Sequence, residues 1–322
     1  MSDFRHDMRR KLATLWRAEG AGRKTALAQT IHPDATFDLA WPLPACTGPE
    51  QIETEFLQPL TQAIAGLHRR DLLFFGGQNT RAAGGEWIAS LTHYVGNFIA
   101  PLWGVAPSQS LVFLRAGEFF RIENGMVTEA RIIFDLPDLL RQTGRFSLPS
   151  LGTEIAFPAP ATQDGLCPPR EGAETSLQIV QGMLGDLHEY DPETGASQGQ
   201  TGTDGYWHRD MMWYGPAGIG SNFQWDGFVK DHRAPFLSAF PDRKGGNHYC
   251  RLGDGPYAAV SGWPSMTMTH QGDYLGVPAT GKPLTLRVMD FYRCDGRQIC
   301  ENWVCLDYGD LFAQMGVNIL EA

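Results

Sequence analysis

One stretch of text occurs twice in this chain of 322 residues, and that repetition restricts the fold more than any other feature. Near the C-terminus, residues 286–293 read as a strand, Asp295-Gly296 as a turn and 299–307 as the returning strand, with a short helical pattern at 311–316. Earlier, Glu118-Phe119-Phe120-Arg121 runs into Asn124-Gly125, then Glu129 and Asp135, and 139–144 closes the unit. A shift of 176 residues pairs His32 with His208, Asp34 with Asp210, Pro59 with Pro235, Trp87 with Trp263 and Gly96 with Gly272. Past a change in one loop, a shift of 172 pairs Gly104 with Gly276, Phe119 with Phe291, Arg121 with Arg293, Glu129 with Glu301, Asp135 with Asp307 and Gln142 with Gln314. Matches this dense, in two ungapped runs, imply two tandem copies of one module.

Each copy opens with helical spacing and continues with strands. Phe4, Met8, Leu12, Leu15 and Trp16 recur at helical intervals, 23–30 continue as a second helix, and Pro49 suits the first turn of a third that runs to about Leu67. Strands follow at 71–75, 86–98, 110–122 and 126–135. The last two meet at Asn124-Gly125, a pair that tolerates the positive φ angles of a tight hairpin. Helices gathered before antiparallel strands predict an α+β fold: two tandem cone-shaped modules, each a curved antiparallel sheet wrapped around about three helices. The expected divisions are 1–145 for the first module, a Pro/Gly-rich linker at 146–173, and 174–322 for the second. A helix is expected at 174–189, and a polar loop at 191–205 reads as a lid with no specific chemistry.

A formal charge of -10 and a pI near 5.3 argue against nucleic acid or an anionic membrane as the main partner. No run approaches the length of a membrane-spanning helix, and the polar start leads into no apolar leader, so a cytoplasmic location is expected. The six cysteines include no C-x-x-C pair and read as buried thiols. His248 and Cys250, two apart in strand-like text, make half a zinc site without a second close pair, so no metal is expected.

A two-residue turn in the terminal hairpin makes partner numbers sum to an odd value. In the absence of a bulge, Asp290 and Tyr292 then share a face with Glu301, Trp303 and Asp307. Carboxylates against aromatics suit acid–base chemistry, since burial and like charge push one carboxyl towards its protonated form. The plainer reading is that Asp290 and Glu301 bond to arginine or backbone and hold the sheet. Asp307, with Asp310 three residues on, equally suits a helix cap. In the first copy Arg131 replaces Trp303, which would pair with Glu118 or Glu129 and spoil that pocket. Tyr214, Trp263, Tyr292 and Trp303 are candidate ligand walls. His248 and His270 are candidate catalytic groups because the first copy has Leu72 and Tyr94 in their places.

Residues 213–220 (WYGPAGIG), 235–242 (PFLSAFPD), Gly276-Val277-Pro278, Met289-Asp290-Phe291-Tyr292-Arg293, Glu301-Asn302-Trp303 and Gln314-Met315-Gly316 together resemble the SnoaL-like polyketide cyclases of the nuclear-transport-factor-2-like superfold. The resemblance spans 205–320 and, through the repeat, more weakly 1–145. It implies a cofactor-independent lyase or isomerase acting on a small, mostly apolar oxygenated molecule, cyclase-, isomerase- or dehydratase-like. A carboxylate from Asp290, Glu301 or Asp307 would be the base, in a working second module. Asn302 stands where the family usually has histidine, a departure at the heart of that chemistry. It also implies modules packed sheet to sheet, with a homo-oligomer open. The alternative is a non-catalytic small-molecule-binding or assembly protein of the same fold.

Overall fold

In the computed structural model, residues 3–145, 148–187 and 202–321 are described. The loop expected at 191–205 lies outside them up to residue 201, as does the end of the helix before it.

The first half runs α1 (Phe4–Arg17), α2 (Gly20–Thr30), β1 (Ile31–Leu39), β2 (Cys46–Thr47), α3 (Gly48–Gln51), a π turn (Ile52–Leu57) and α4 (Gln58–Ala63). It continues through β3 (Ile64–Gln78), β4 (Glu86–Phe98), β5 (Leu111–Glu123) and β6 (Met126–Phe134) to α5 (Leu136–Gln142). The second half repeats it: α6 (Ala173–Asp186), β7 (Trp207–Tyr214), β8 (Ser221–Phe223), α7 (Gln224–Phe228), a π turn (Val229–Arg233) and α8 (Ala234–Ala239). Strands β9 (Cys250–Asp254), β10 (Tyr257–Thr269), β11 (Pro283–Cys294) and β12 (Ile299–Leu306) lead into α9 (Tyr308–Met315). The two six-stranded sheets have the same order, β2-β1-β6-β5-β4-β3 and β8-β7-β12-β11-β10-β9. The fold is thus α+β with two matching modules, but each sheet is mixed: β1 runs parallel to β6, and β7 to β12. The helix expected to reach Leu67 stops at Ala63, because Ile64 already pairs with Phe98.

Strand registers locate the repeat more closely than text does. Glu118 faces Ile132 as Asp290 faces Val304, and Phe37 faces Ala130 as Trp213 faces Asn302. In β4 and β10 the textual pairing fails. Trp87 stands opposite Arg121, whereas Tyr257, not Trp263, stands opposite Arg293: the strands are offset by 172 at Tyr94 and Met266, not 176, and by 170 beyond the bulge between Gly262 and Met266.

One face of each sheet packs on the other module. Phe119 and Phe291 meet at 5.7 Å between ring centroids, and Arg131 lies 3.7 Å over the Tyr249 ring. Arg5 donates to Asp254, whose second oxygen accepts from the Gly76 amide at 2.8 Å. The sheets approach so closely at Gly117 that a Cβ there would stand 2.9 Å from the Cys305 sulfur. The opposite face of each sheet is the concave one, against the helices.

The irregular stretch before α6 is pinned along the junction. Ala161 donates its amide to Glu301, and the Trp303 indole donates to the Pro158 carbonyl at 3.1 Å.

Candidate functional site

The terminal hairpin decides which residues reach the concave face. Asp295 accepts from the amides of Arg297 and Gln298 at 2.9 and 2.8 Å, and its own amide donates to the Gln298 carbonyl at 3.1 Å, so the turn centres on Gly296-Arg297, one residue beyond Asp295-Gly296. Next to it Cys294 pairs with Ile299, still an odd sum; but Arg293 pairs with Glu301 and Asp290 with Val304, which is even. Cys300 is the extra residue of a bulge, and it reverses the faces of everything beyond it. The first module has the same bulge at Thr128, between Ile122 opposite Val127 and Arg121 opposite Glu129.

Asp290 therefore shares its face with Val288, Tyr292, Asn302, Val304 and Leu306. These line a cavity of about 120 Å³, closed by Trp207 and Trp213 from β7, Phe228, His232 and Phe236 from the helical layer, and His248. Asp290 keeps accessible surface, and that surface opens into the cavity. Removal from bulk water raises its carboxyl to about 7, while hydrogen bonds from Asn302 and Tyr292 oppose the rise and no cation acts on it. Asn302 is itself anchored, donating from its amide nitrogen to the Phe291 carbonyl at 3.1 Å. The Tyr292 phenol is held well above its usual value, first by burial and then by Asp290 beside it. His232 stacks on Trp213, with centroids 4.5 Å apart and rings 18° from parallel; its Nδ1 has no partner, and burial lowers it to about 3.

Glu301, Trp303 and Asp307 lie on the reverse face, a correction to the shared-face expectation that follows from the bulge. Glu301 pairs with Arg293 and accepts from the Ala161 amide. Tyr214 stacks on Trp303 at 5.4 Å, away from the cavity; its strand neighbour Trp213 lines the wall instead. Asp307 caps α9, accepting from the Asp310 amide at 3.2 Å, from Arg287 at 3.0 Å and from the Trp41 amide of the first module at 3.3 Å. Burial still raises it to about 6. Trp263 lies under the Arg287 guanidinium. His270 is enclosed against Phe240, with Nδ1 3.1 Å from the Thr280 hydroxyl.

Of the sequence candidates, Asp290, Tyr292 and His248 line the cavity. His248 precedes β9 rather than lying in a strand, so it does not form half of a strand-borne metal pair with Cys250. Cys250 is buried on the junction side, near Glu129 and Arg131. Asn302, Trp207 and His232 were missed as wall residues, while Trp213 and Tyr214 alternate in one strand and it is Trp213 that faces the cavity. The signal for His232 was present: the 176-residue shift sets it against Phe56, a histidine specific to one copy.

The first module closes the same space. Its remnant cavity, about 10 Å³, is lined by Trp16, Phe56, Phe120, Tyr94 and Glu118. Glu118, the counterpart of Asp290, accepts from Arg69 at 2.9 and 2.6 Å and from the Tyr94 hydroxyl. Arg131, expected to pair with Glu118 or Glu129, pairs with Glu129 at 2.9 Å, but on the reverse face beside Asp38. A larger cleft of about 490 Å³ lies outside this space between α1 and β3, among Arg9, Arg10, Arg17, His68 and Asp71. It lacks apolar walls around an unpaired carboxyl, so the smaller cavity is the stronger candidate.

Fold and cavity together define a chain of two tandem α+β modules of one topology, one hollow and one filled. Residues 197–315, within the second module, match the family model of SnoaL-like polyketide cyclases. No curated protein matches the chain. Solved structures similar to part of it include a protein of Jannaschia sp. CCS1 assigned as a SnoaL-like polyketide cyclase (19% identity, 45% of this chain and 94% of that one, TM-score 0.35). Another, from Acidithiobacillus ferrooxidans and assigned as a polyketide cyclase, is 20% identical over 44% of this chain and 94% of its own, with TM-score 0.35. IdmH of Streptomyces antibioticus, assigned likewise, is 21% identical over 42% and 98%, with TM-score 0.34.

Proposed function

We propose that the second module is a cofactor-independent acid–base catalyst for a compact, mostly apolar molecule bearing a carbonyl, of the cyclase or isomerase kind. The observation that carries this is Asp290: a carboxyl raised to about 7 on an apolar wall, with no cation to hold it ionised. Such a group takes and returns protons near neutrality. As a carboxylate it removes a proton from the carbon beside the carbonyl; the C–H electron pair moves into the carbonyl, giving an enolate. The protonated Asp290 then returns the proton to a second position, or the enolate carbon attacks a second carbonyl within the ligand. Tyr292 and Asn302 orient the carboxyl. At about 120 Å³ the cavity is smaller than typical ligand pockets, so it takes a small ligand or the reactive end of a longer one.

A carbon acid tests this without the natural substrate. In 5-nitrobenzisoxazole a base takes the C3 proton, the N–O bond breaks and the electron pair leaves on a coloured phenolate oxygen. We expect turnover that requires Asp290 and rises with pH through about 7, as the base form accumulates. Equal turnover by Asp290→Asn would end the proposal.

A further inference from the structure

His248 has a geometry that the acid–base reading does not use. Arg251, Val260 and Asp290 form one row across three strands, since Val260 pairs with both neighbours. The Arg251 backbone thus stands about 10 Å from that of Asp290, two inter-strand spacings away on the same face. From there its Nε donates to His248 Nδ1 at 3.0 Å, and its terminal nitrogen donates to the Gly246 carbonyl at 3.3 Å. Arg81, from the first module, donates to the His248 carbonyl at 3.0 Å. A guanidinium only donates and does not lose its proton in proteins. The Nδ1 atom must therefore present a lone pair, and the ring proton of the neutral imidazole sits on Nε2. Nε2 is absent from the buried atoms that lack partners, and the ring lines the cavity.

We infer that His248 is a tautomer-locked, neutral hydrogen-bond donor that receives the ligand's oxygen, with Arg251 as the positioning residue that fixes its proton on Nε2. This rests on the cavity reading above but divides the chemistry between two residues. Asp290 moves the proton, and His248 steadies the negative oxygen that the transfer creates. A neutral donor suits that role, because it stabilises a developing oxyanion without exchanging a proton with it. Burial and the two arginines, Arg251 and Arg81, oppose a second proton on the ring, and the one carboxyl on the cavity wall among the described residues, Asp290, belongs to the far strand of the row.

The test has two arms. Long-range 15N–1H spectra of the ligand-free protein distinguish the Nε2–H tautomer from the Nδ1–H form and the imidazolium. The expected result is an unchanging Nε2–H signal for His248 from about pH 5 to pH 9, becoming mixed and titratable in Arg251→Met. An Nδ1–H signal, or titration of His248 in the unsubstituted protein within that range, overturns the lock. In the second arm, 2-cyano-4-nitrophenolate, the product of the benzisoxazole reaction, serves as the oxyanion probe. His248→Leu should weaken its binding at least tenfold, whereas His248→Gln, which retains an N–H, should weaken it less. Unchanged affinity in His248→Leu overturns the donor role while leaving Asp290's role standing. Absence of saturable binding to the unsubstituted protein overturns both the donor role and the cavity reading, with the lock still judged by the spectra.

Discussion

Glu118 and Asp290 occupy one position in two copies of one sheet, and their surroundings have diverged in opposite directions. Glu118 is fully buried, gripped by Arg69 and Tyr94 among aromatic side chains that leave about 10 Å³. No cation among the described residues acts on Asp290, which faces about 120 Å³. Strand β3 explains much of the difference. It has 15 residues, enough to set Arg69 opposite Tyr94, while β9 has 5 and begins only at Cys250. Tyr94 and Met266 stand opposite the equivalent Leu114 and Leu286, and the Lys244–Thr267 bridge puts Gly245 opposite Met266. The place of the neutralising arginine is thus held by glycine. A charged carboxylate can be buried as half of an ion pair or left to hold its proton, and the two modules show both solutions.

The comparison breaks most sharply on activity. Asp290→Asn should lower benzisoxazole turnover by about 10²- to 10⁴-fold, the usual contribution of a positioned base. Glu118→Gln should leave that rate alone, and a loss in both would mean that the modules do not differ in function. Stability should run the other way. Arg69→Met leaves a buried carboxylate without its cation and should cost about 3–5 kcal/mol in denaturant unfolding. Asp290→Asn should instead stabilise the protein at alkaline pH. The folded protein holds this proton to about 7, whereas an unfolded aspartate releases it near 4. The carboxyl's favourable contribution is therefore complete below about pH 4 and fades as pH rises through 7, which makes the substitution worth on the order of 2–4 kcal/mol above pH 8.

Gly245→Arg would rebuild the first module's arrangement in the second. Charge proximity should bring the Asp290 midpoint below 7, seen as a leftward shift of the pH–rate curve, and reduce turnover roughly tenfold by weakening the base and occupying space. An unmoved curve would mean that glycine at this place is not what keeps Asp290 unpaired.

The double module was legible because matched residues preserve the fold's turns and caps: Asp135 and Asp307 each cap a helix, and Gln142 and Gln314 each accept from an amide of the hairpin's first strand, Phe113 in β5 and Thr285 in β11. The cavity was legible only in part. Alternation in a strand assigns faces correctly until a bulge intervenes, and the bulges at Thr128 and Cys300 carry no distinctive residue type. Glu301, Trp303 and Asp307 were consequently set on the wrong side and Asn302 on the other, whereas alternation in β7 left Trp213 and Tyr214 as alternatives. Helical contributions to a wall depend on how the layer docks, which explains the omission of Phe228 and Phe236. His232 is different, since its copy-specific identity was readable.

That residue gives the smallest effect and the finest test of the comparison. Phe56 and His232 sit at one place on the two π turns, and both pack among aromatics, Phe56 on Trp16 and His232 on Trp213. In the filled module an apolar ring suffices. In the hollow one the imidazole carries an Nδ1 without a partner, a polar atom kept out of water with nothing in return. His232→Phe keeps the ring's shape and removes that unsatisfied atom, so it should stabilise the protein by about 1 kcal/mol in equilibrium unfolding. If the nitrogen instead serves ligand binding, the same variant should lose affinity for 2-cyano-4-nitrophenolate several-fold while unfolding at a higher denaturant concentration. Gain in stability with loss of affinity would mark His232 as kept for the cavity; gain without loss would mark it as a remnant on its way to the first module's phenylalanine.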